Sequence, residues 1–298
     1  MHRRPISLLG APLDLGAARR GVDMGPSALR YAELEEHLTR LGHDVTDLGN
    51  VGAELPEVAS VRDERARYLP AILSSCSQIG RRVEAIASDE RMPIVLGGDH
   101  SIAMGTLAGL NQAYGTGGLV WIDAHGDLNR PETSPSGNVH GMPLAAALGR
   151  CGFSLEGLGG PPWVDPRRVA LVGVRMLDPG EKDLIKELEL CALTMADVDR
   201  RGMTSVIEQA LDVVCGPGYV HMSLDVDVCD PEIAPGVGTP VRGGLGYRET
   251  HLAMELLAEA SVLTSMELVE VNPVLDNANL TGELAVEMAG SALGATIL

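Results

Sequence analysis

The chain has 298 residues, and its 41 acidic against 23 basic side chains give a formal charge of −18. A nucleic-acid surface needs clustered positive charge, so this balance argues against one, and lysine occurs only at Lys182 and Lys186. A composition 45% hydrophobic and 21% charged, without repeats or low-complexity tracts, describes a soluble globular chain, and no apolar run approaches the ~20 residues of a membrane span.

The length suits one large α/β domain over residues 1–298. Acidity favours solubility, and it also attracts metal ions and cationic substrates. Cys76, Cys151, Cys191, Cys215 and Cys229 form no C-x-x-C pair and read as reduced, mostly buried thiols, which suggests a cytoplasmic protein. The N-terminal stretch is basic, but its apolar segment is short and cut by Gly and Pro, so it reads as a first strand rather than a signal peptide.

Short runs rich in Val, Ile and Leu predict strands at 5–12, 43–49, 92–98, 118–124, 168–174, 190–195, 219–227 and 264–271. Between them, amphipathic stretches predict helices at 26–41, 64–88, 101–113, 203–214, 247–259 and 283–294. Alternation of this kind implies a mainly parallel sheet with helices on both faces. In such sheets ligands bind at the carboxyl ends of the strands, so the residues that follow each strand are the candidates. Asp99 and His100 follow the third strand, Asp123, His125 and Asp127 the fourth, Asp225 and Asp227 the seventh, and Glu270 the eighth.

Alternate strand residues share a face, so Asp123, His125 and Asp127 could converge, as could Asp225 with Asp227. With His100 they make four carboxylates and two imidazoles, which would repel one another unless cations held them. No cysteine takes part, and carboxylates with imidazoles suit Mn²⁺ or a similar ion. Two such ions ~3.5–4 Å apart can share a water, lower its pKa and deliver hydroxide, which predicts metal-assisted hydrolysis. The competing explanations are local: Asp99 and Ser101 could cap a helix, and a lone D-x-D is a weak signal.

The blocks "GGDHS" (97–101), "DAHGDLN" (123–129), "SGNVHGMPLA" (136–145), "SLDVDVCDP" (223–231), "GVGTPVRGGLGYRE" (236–249) and "EVNP" (270–273) resemble, in order and spacing, the signature blocks of the arginases within the ureohydrolase family. The resemblance runs from residue 19 to the C-terminus. It implies a three-layer α/β/α sandwich around an eight-stranded sheet, and a centre of two Mn²⁺ ions per subunit. Asp123 and Asp225 would bridge the ions, His100 and Asp127 would complete one site, and His125 and Asp227 the other. It further implies conversion of L-arginine to L-ornithine and urea, by attack of a metal-bridging hydroxide on the guanidinium carbon.

A guanidinium is a resonance-stabilised cation whose leaving amine must gain a proton. The resemblance assigns Glu270 to pair with it, His140 to shuttle protons and Asp127 to accept a hydrogen bond from the nucleophile. The Ser-, Thr- and Asn-rich stretch 128–141 reads as a loop. By resemblance, Asn129, Ser136 and Asn138 would address the substrate α-carboxylate and Asp178 the α-amino group, with Ser134 and Thr239 also contacting substrate. Trimers or hexamers are the implied assembly.

Two positions depart from the family pattern. Val228 and Cys229 stand where the family commonly has Gly-Leu, and Val228 could shift the turn that carries Asp227. Cys229 reads as a passive thiol, His221 and Ser223 as core, and His251 as a surface or interface residue of its amphipathic helix. Three rivals stay open: hydrolysis of agmatine or a guanidino acid, a deacetylase-type amide hydrolase of shared fold, and a binding protein with a relict metal site.

Overall fold

The computed structural model describes residues 5–155 and 157–296. Eight strands form one sheet: β1 (Pro5–Ala11), β2 (Asp44–Asn50), β3 (Met92–Gly97), β4 (Gly117–Ile122), β5 (Val164–Val174), β6 (Cys191–Thr194), β7 (Val220–Asp225) and β8 (Ser265–Val269). Their spatial order is β2-β1-β3-β8-β7-β4-β5-β6, and every ladder is parallel, so the sheet is wholly rather than mainly parallel. A parallel sheet is covered on both faces, which explains why β3, β4 and β7 are buried at every residue.

Alternate strand residues feed two separate cores. Ile94, Val120, Met222 and Leu268 pack with helices α1 (Gly25–Tyr31), α2 (Leu34–Arg40), α7 (Met195–Val214), α8 (Tyr247–Ala260) and α9 (Leu280–Ala292). Val95, Trp121, Leu171 and Val269 pack with α3 (Leu69–Ser88), α4 (Ala103–Tyr114), α5 (Pro143–Ala147) and α6 (Pro179–Glu187). The result is the expected three-layer sandwich. No helix among the described residues is long and apolar enough to cross a membrane.

Several elements differ from the sequence-based expectation. The helix over 26–41 is two helices, broken where Glu33 takes φ 60°. The one expected from 64 starts at Leu69, because the Arg67 N–H donates to Gly137 O instead of continuing a helix. Strand β5 begins at Val164 rather than 168, and α7 at Met195 rather than 203; the latter holds two helical stretches that meet at Gly202, φ 79°. Helices α5 and α6 were not expected. His251 is not a surface residue: it is buried, with Nδ1 2.8 Å from Ser291 Oγ of α9 and its ring against Tyr247.

Strands β3 and β4 are consecutive in the chain, yet β8 and β7 lie between them in the sheet. The carboxyl ends of these four central neighbours therefore adjoin. They are the strands that end in His100, Glu270, Asp225 and Asp123.

Candidate metal centre

His100 opens a single helical turn after β3, where the Asp99 carboxylate accepts from the Ser101 N–H at 3.0 Å. The capping role weighed for Asp99 is thus real, and it fixes the backbone that presents His100. The imidazole stacks on Trp121 with ring centroids 4.0 Å apart and planes within 4°. Its Nε2 lies 2.7 Å from Ser223 Oγ, and that hydroxyl donates to Glu267 Oε1 at 2.7 Å. Ser223 has one proton and gives it to Glu267, so His100 Nε2 must be the donor in its own bond. The neutral ring then carries its lone pair on Nδ1.

That Nδ1 is buried, has no hydrogen-bond partner among the described residues, and stands 3.0 Å from Asp127 Oδ2, 3.2 Å from Asp123 Oδ2 and 3.3 Å from Asp225 Oδ2. A lone pair facing three carboxylate oxygens is repulsive unless a cation sits among them. On the other side His125 Nδ1 lies 3.4 Å from Asp123 Oδ1 and 3.0 Å from Asp227 Oδ2. Two groups, His100 with Asp123 and Asp127, and His125 with Asp123 and Asp227, bring their ligand atoms close enough to hold an ion each. Asp123 belongs to both through different oxygens.

Electrostatics of the bare cluster agree with this geometry. Burial, then repulsion from Asp227 and Asp123, pushes the Asp225 carboxyl well up, and burial with Asp123 pushes Asp127 up to about 6. Asp227 is raised by the same two causes. Burial alone would depress both histidines, but the carboxylates outweigh it, holding His100 well above its ordinary range and His125 up to about 12. Asp123, between the two imidazoles, is held low despite burial. The donor set is oxygen and imidazole, which suits a divalent cation at each of the two groups.

Glu270 and Asp127 both adopt left-handed backbone, φ 64° and 50°, a conformation that non-glycine residues take at a cost and that clusters at functional sites. Glu270 Oε1 accepts from the His100 N–H and bonds His140 Nδ1, both at 2.9 Å. Its Oε2 is buried and has no hydrogen-bond partner among the described residues. Against burial, Glu270 raises His140 to about 9, and His140 in turn lowers Glu270.

A cavity of about 320 Å³ joins His125, Asp127, Asp225 and His140 to the loop residues Asn129, Ser134, Ser136, Asn138, Asp178 and Thr239. The loop is pinned from behind at Gly137: a Cβ there would lie 1.8 Å from Glu64 O, and its φ is 68°. Not every side chain is free toward the cavity. Asn129 Nδ2 donates to Asp178 Oδ2 at 2.8 Å and its Oδ1 accepts from Thr133 Oγ1 at 2.9 Å, so the two residues expected at opposite substrate groups bind each other. Thr239 Oγ1 donates to Asp227 Oδ2 at 3.0 Å, which joins it to the carboxylate–imidazole cluster as well as to the cavity wall. Ser134 and Ser136 accept from the Gly137 and Asn138 N–H groups.

Sequence reasoning passed over several contributors. Glu181, 4% exposed and raised to about 7 chiefly by burial, accepts from the Leu128 and Asp178 N–H groups and so ties the loop to α6. Its signal was the Asp-Pro-Gly-Glu start of a helix. Ser223 is buried as expected of core, yet it bonds His100, and Glu267 was legible as the one charged residue of its buried strand, SMELV. The departure at Val228 is absorbed by Gly173, φ 89°, where a Cβ would lie 2.4 Å from Val228 Cγ2. Cys229 is buried and pushed up to about 12 by burial, with Sγ 3.9 Å from Thr250 Oγ1 and 4.0 Å from Met288 Sδ.

A profile of the arginase family matches residues 4–294. The arginase of Bacillus subtilis strain 168 is 51% identical over 296 residues, 99% of each chain. The chain belongs to the arginase family. It is therefore a hydrolase of arginase type. Its fold superimposes on the crystal structure of Bacillus caldovelox arginase with a TM-score of 0.95 at 51% identity, covering 99% of this chain and 100% of that one. The arginase of Entamoeba histolytica, solved in complex with L-ornithine, matches at 0.90 with 30% identity over 99% and 100%.

Proposed function

We propose that this arginase-family chain, with residues 1–298 acting as one domain, is a binuclear manganese arginase that converts L-arginine and water to L-ornithine and urea. Glu270 carries the proposal. One of its oxygens is held by His100 and His140, and the other is buried and unpartnered beside the carboxylate–imidazole cluster. A buried carboxylate oxygen left unpaired is costly, and the charge-assisted N–H of a guanidinium satisfies it while orienting the carbon toward the cluster.

The ion pair would be held by His100, Asp123, Asp127 and Asp225 on one side and His125, Asp123, Asp225 and Asp227 on the other. When bound, such ions supply a water acidic enough to act as nucleophile at neutral pH. Asp127 accepts a hydrogen bond from the nucleophile. His140, whose proton Glu270 stabilises, holds a proton for the departing amine. Asn129, Ser134, Ser136, Asn138, Asp178 and Thr239 surround the amino-acid end of the substrate, and L-ornithine in the Entamoeba relative is the product this reaction releases.

An acidic chain with unpaired cysteines suits the cytoplasm, and a homo-oligomer, trimer or hexamer, is the proposed assembly. The test is a substrate panel of L-arginine, agmatine and guanidino acids, run on metal-stripped and Mn²⁺-reloaded protein. Urea from L-arginine above all others is the expected result, and a preference for agmatine overturns the reading of the loop.

A further inference from the structure

Arg175 follows β5, and its guanidinium is spent on backbone oxygens. Nη2 lies 2.7 Å from Asp227 O, 3.2 Å from Cys229 O and 2.7 Å from Val241 O; Nη1 lies 3.0 Å from Val228 O, and Nε 3.2 Å from Val241 O. The Arg175 N–H itself donates to Ala124 O at 2.9 Å. The side chain thus grips two segments at once, the turn that carries Asp227 and the loop two residues beyond Thr239, while the backbone N–H of the same residue holds a third, the stretch between Asp123 and His125. A planar fork of five donors can reach several carbonyls simultaneously, which a point charge on a flexible stem cannot.

These three segments share a feature. They carry His125 and Asp227, the two members of one ligand group that the other group does not share, and the hydroxyl that donates to Asp227. The His100 side is held by other means, the Trp121 stack and the Ser223–Glu267 chain. Turn 226–228 is also closely packed, since a Cβ at Gly173 would lie 2.4 Å from Val228 Cγ2. Resting on the two-ion reading above, we infer that Arg175 is a positioning residue dedicated to one ion site: it pre-forms the Asp227 turn against His125 and leaves the His100 site alone.

The test is Mn²⁺ titration of metal-free wild type, Arg175→Ala and Arg175→Lys, with free ion counted by electron paramagnetic resonance and folding checked by thermal melts. Wild type should bind two ions. Arg175→Ala should keep one affinity within about threefold and weaken the other at least tenfold, a split that general damage to the fold would not produce. Arg175→Lys should weaken the same site by a smaller factor, and it decides the matter if the alanine variant does not fold. Two unchanged affinities, or two affinities reduced by the same factor, overturn the inference. A wild type that binds fewer than two ions overturns the two-ion reading on which it rests.

Discussion

His140 Nδ1 stands 2.9 Å from Glu270 Oε1, and each group shifts the other's proton affinity. Burial alone would favour neutral imidazole, but Glu270 outweighs it and raises His140 to about 9. A histidine raised on folding contributes stability that is fully present below its unfolded pKa of about 6.5 and is lost as pH rises through about 9. In metal-free Glu270→Gln the charged partner is gone, so the His140 midpoint should fall well below 9 and this loss of stability should move to lower pH. Ring resonances followed through a pH titration report it. A midpoint that stays near 9 would show that Glu270 is not the cause.

The pairing of Asn129 with Asp178 predicts an asymmetric defect. Asn129→Ala removes a residue that lines the cavity and also frees Asp178 from its 2.8 Å bond. A lost hydrogen bond to a charged group is worth ~1.5–3 kcal/mol, so kcat/KM for L-arginine should drop roughly 10–100-fold. Turnover of agmatine, if any, should fall less, because it keeps the amine that Asp178 would address but has no carboxylate to lose. Equal losses on both substrates would place Asn129 in support of the loop rather than in recognition.

Gly173 and Val228 predict a coupled effect on stability. Gly173→Ala must meet Val228 Cγ2 and also hold φ 89°, two penalties of ~1–3 kcal/mol each. The single variant should therefore lose about 2–6 kcal/mol in chemical denaturation. Adding Val228→Ala should return the clash part and leave the backbone part. Strict additivity of the two changes would argue that these residues do not touch.

Much of this architecture was legible because a wholly parallel sheet buries both faces of its strands. Runs such as 92–98 and 118–124 stand out, and the polar residues that end them fall on one edge by topology. Resemblance then supplied His140 and the loop, which periodicity cannot reach. The misses have particular causes. A single backbone reversal at Glu33 leaves no mark on an amphipathic pattern, and five residues at Pro143–Ala147 are too few to show a helical period. Gly202 made α7 look as though it began afterwards, and His251 lay on the flank of α8 that α9 covers. The grip of Arg175 depends on carbonyls far along the chain, at 227–229 and 241, so no local pattern could announce it.

The proposed two-ion centre rests most directly on Asp123, whose Oδ2 lies 3.2 Å from His100 Nδ1 and whose Oδ1 lies 3.4 Å from His125 Nδ1. Urea release from L-arginine, followed while metal-free protein is titrated with Mn²⁺, measures its consequence. Activity should stay low through the first equivalent and reach its plateau at two ions per chain. Full activity at one ion, or no urea with two ions bound, would contradict it.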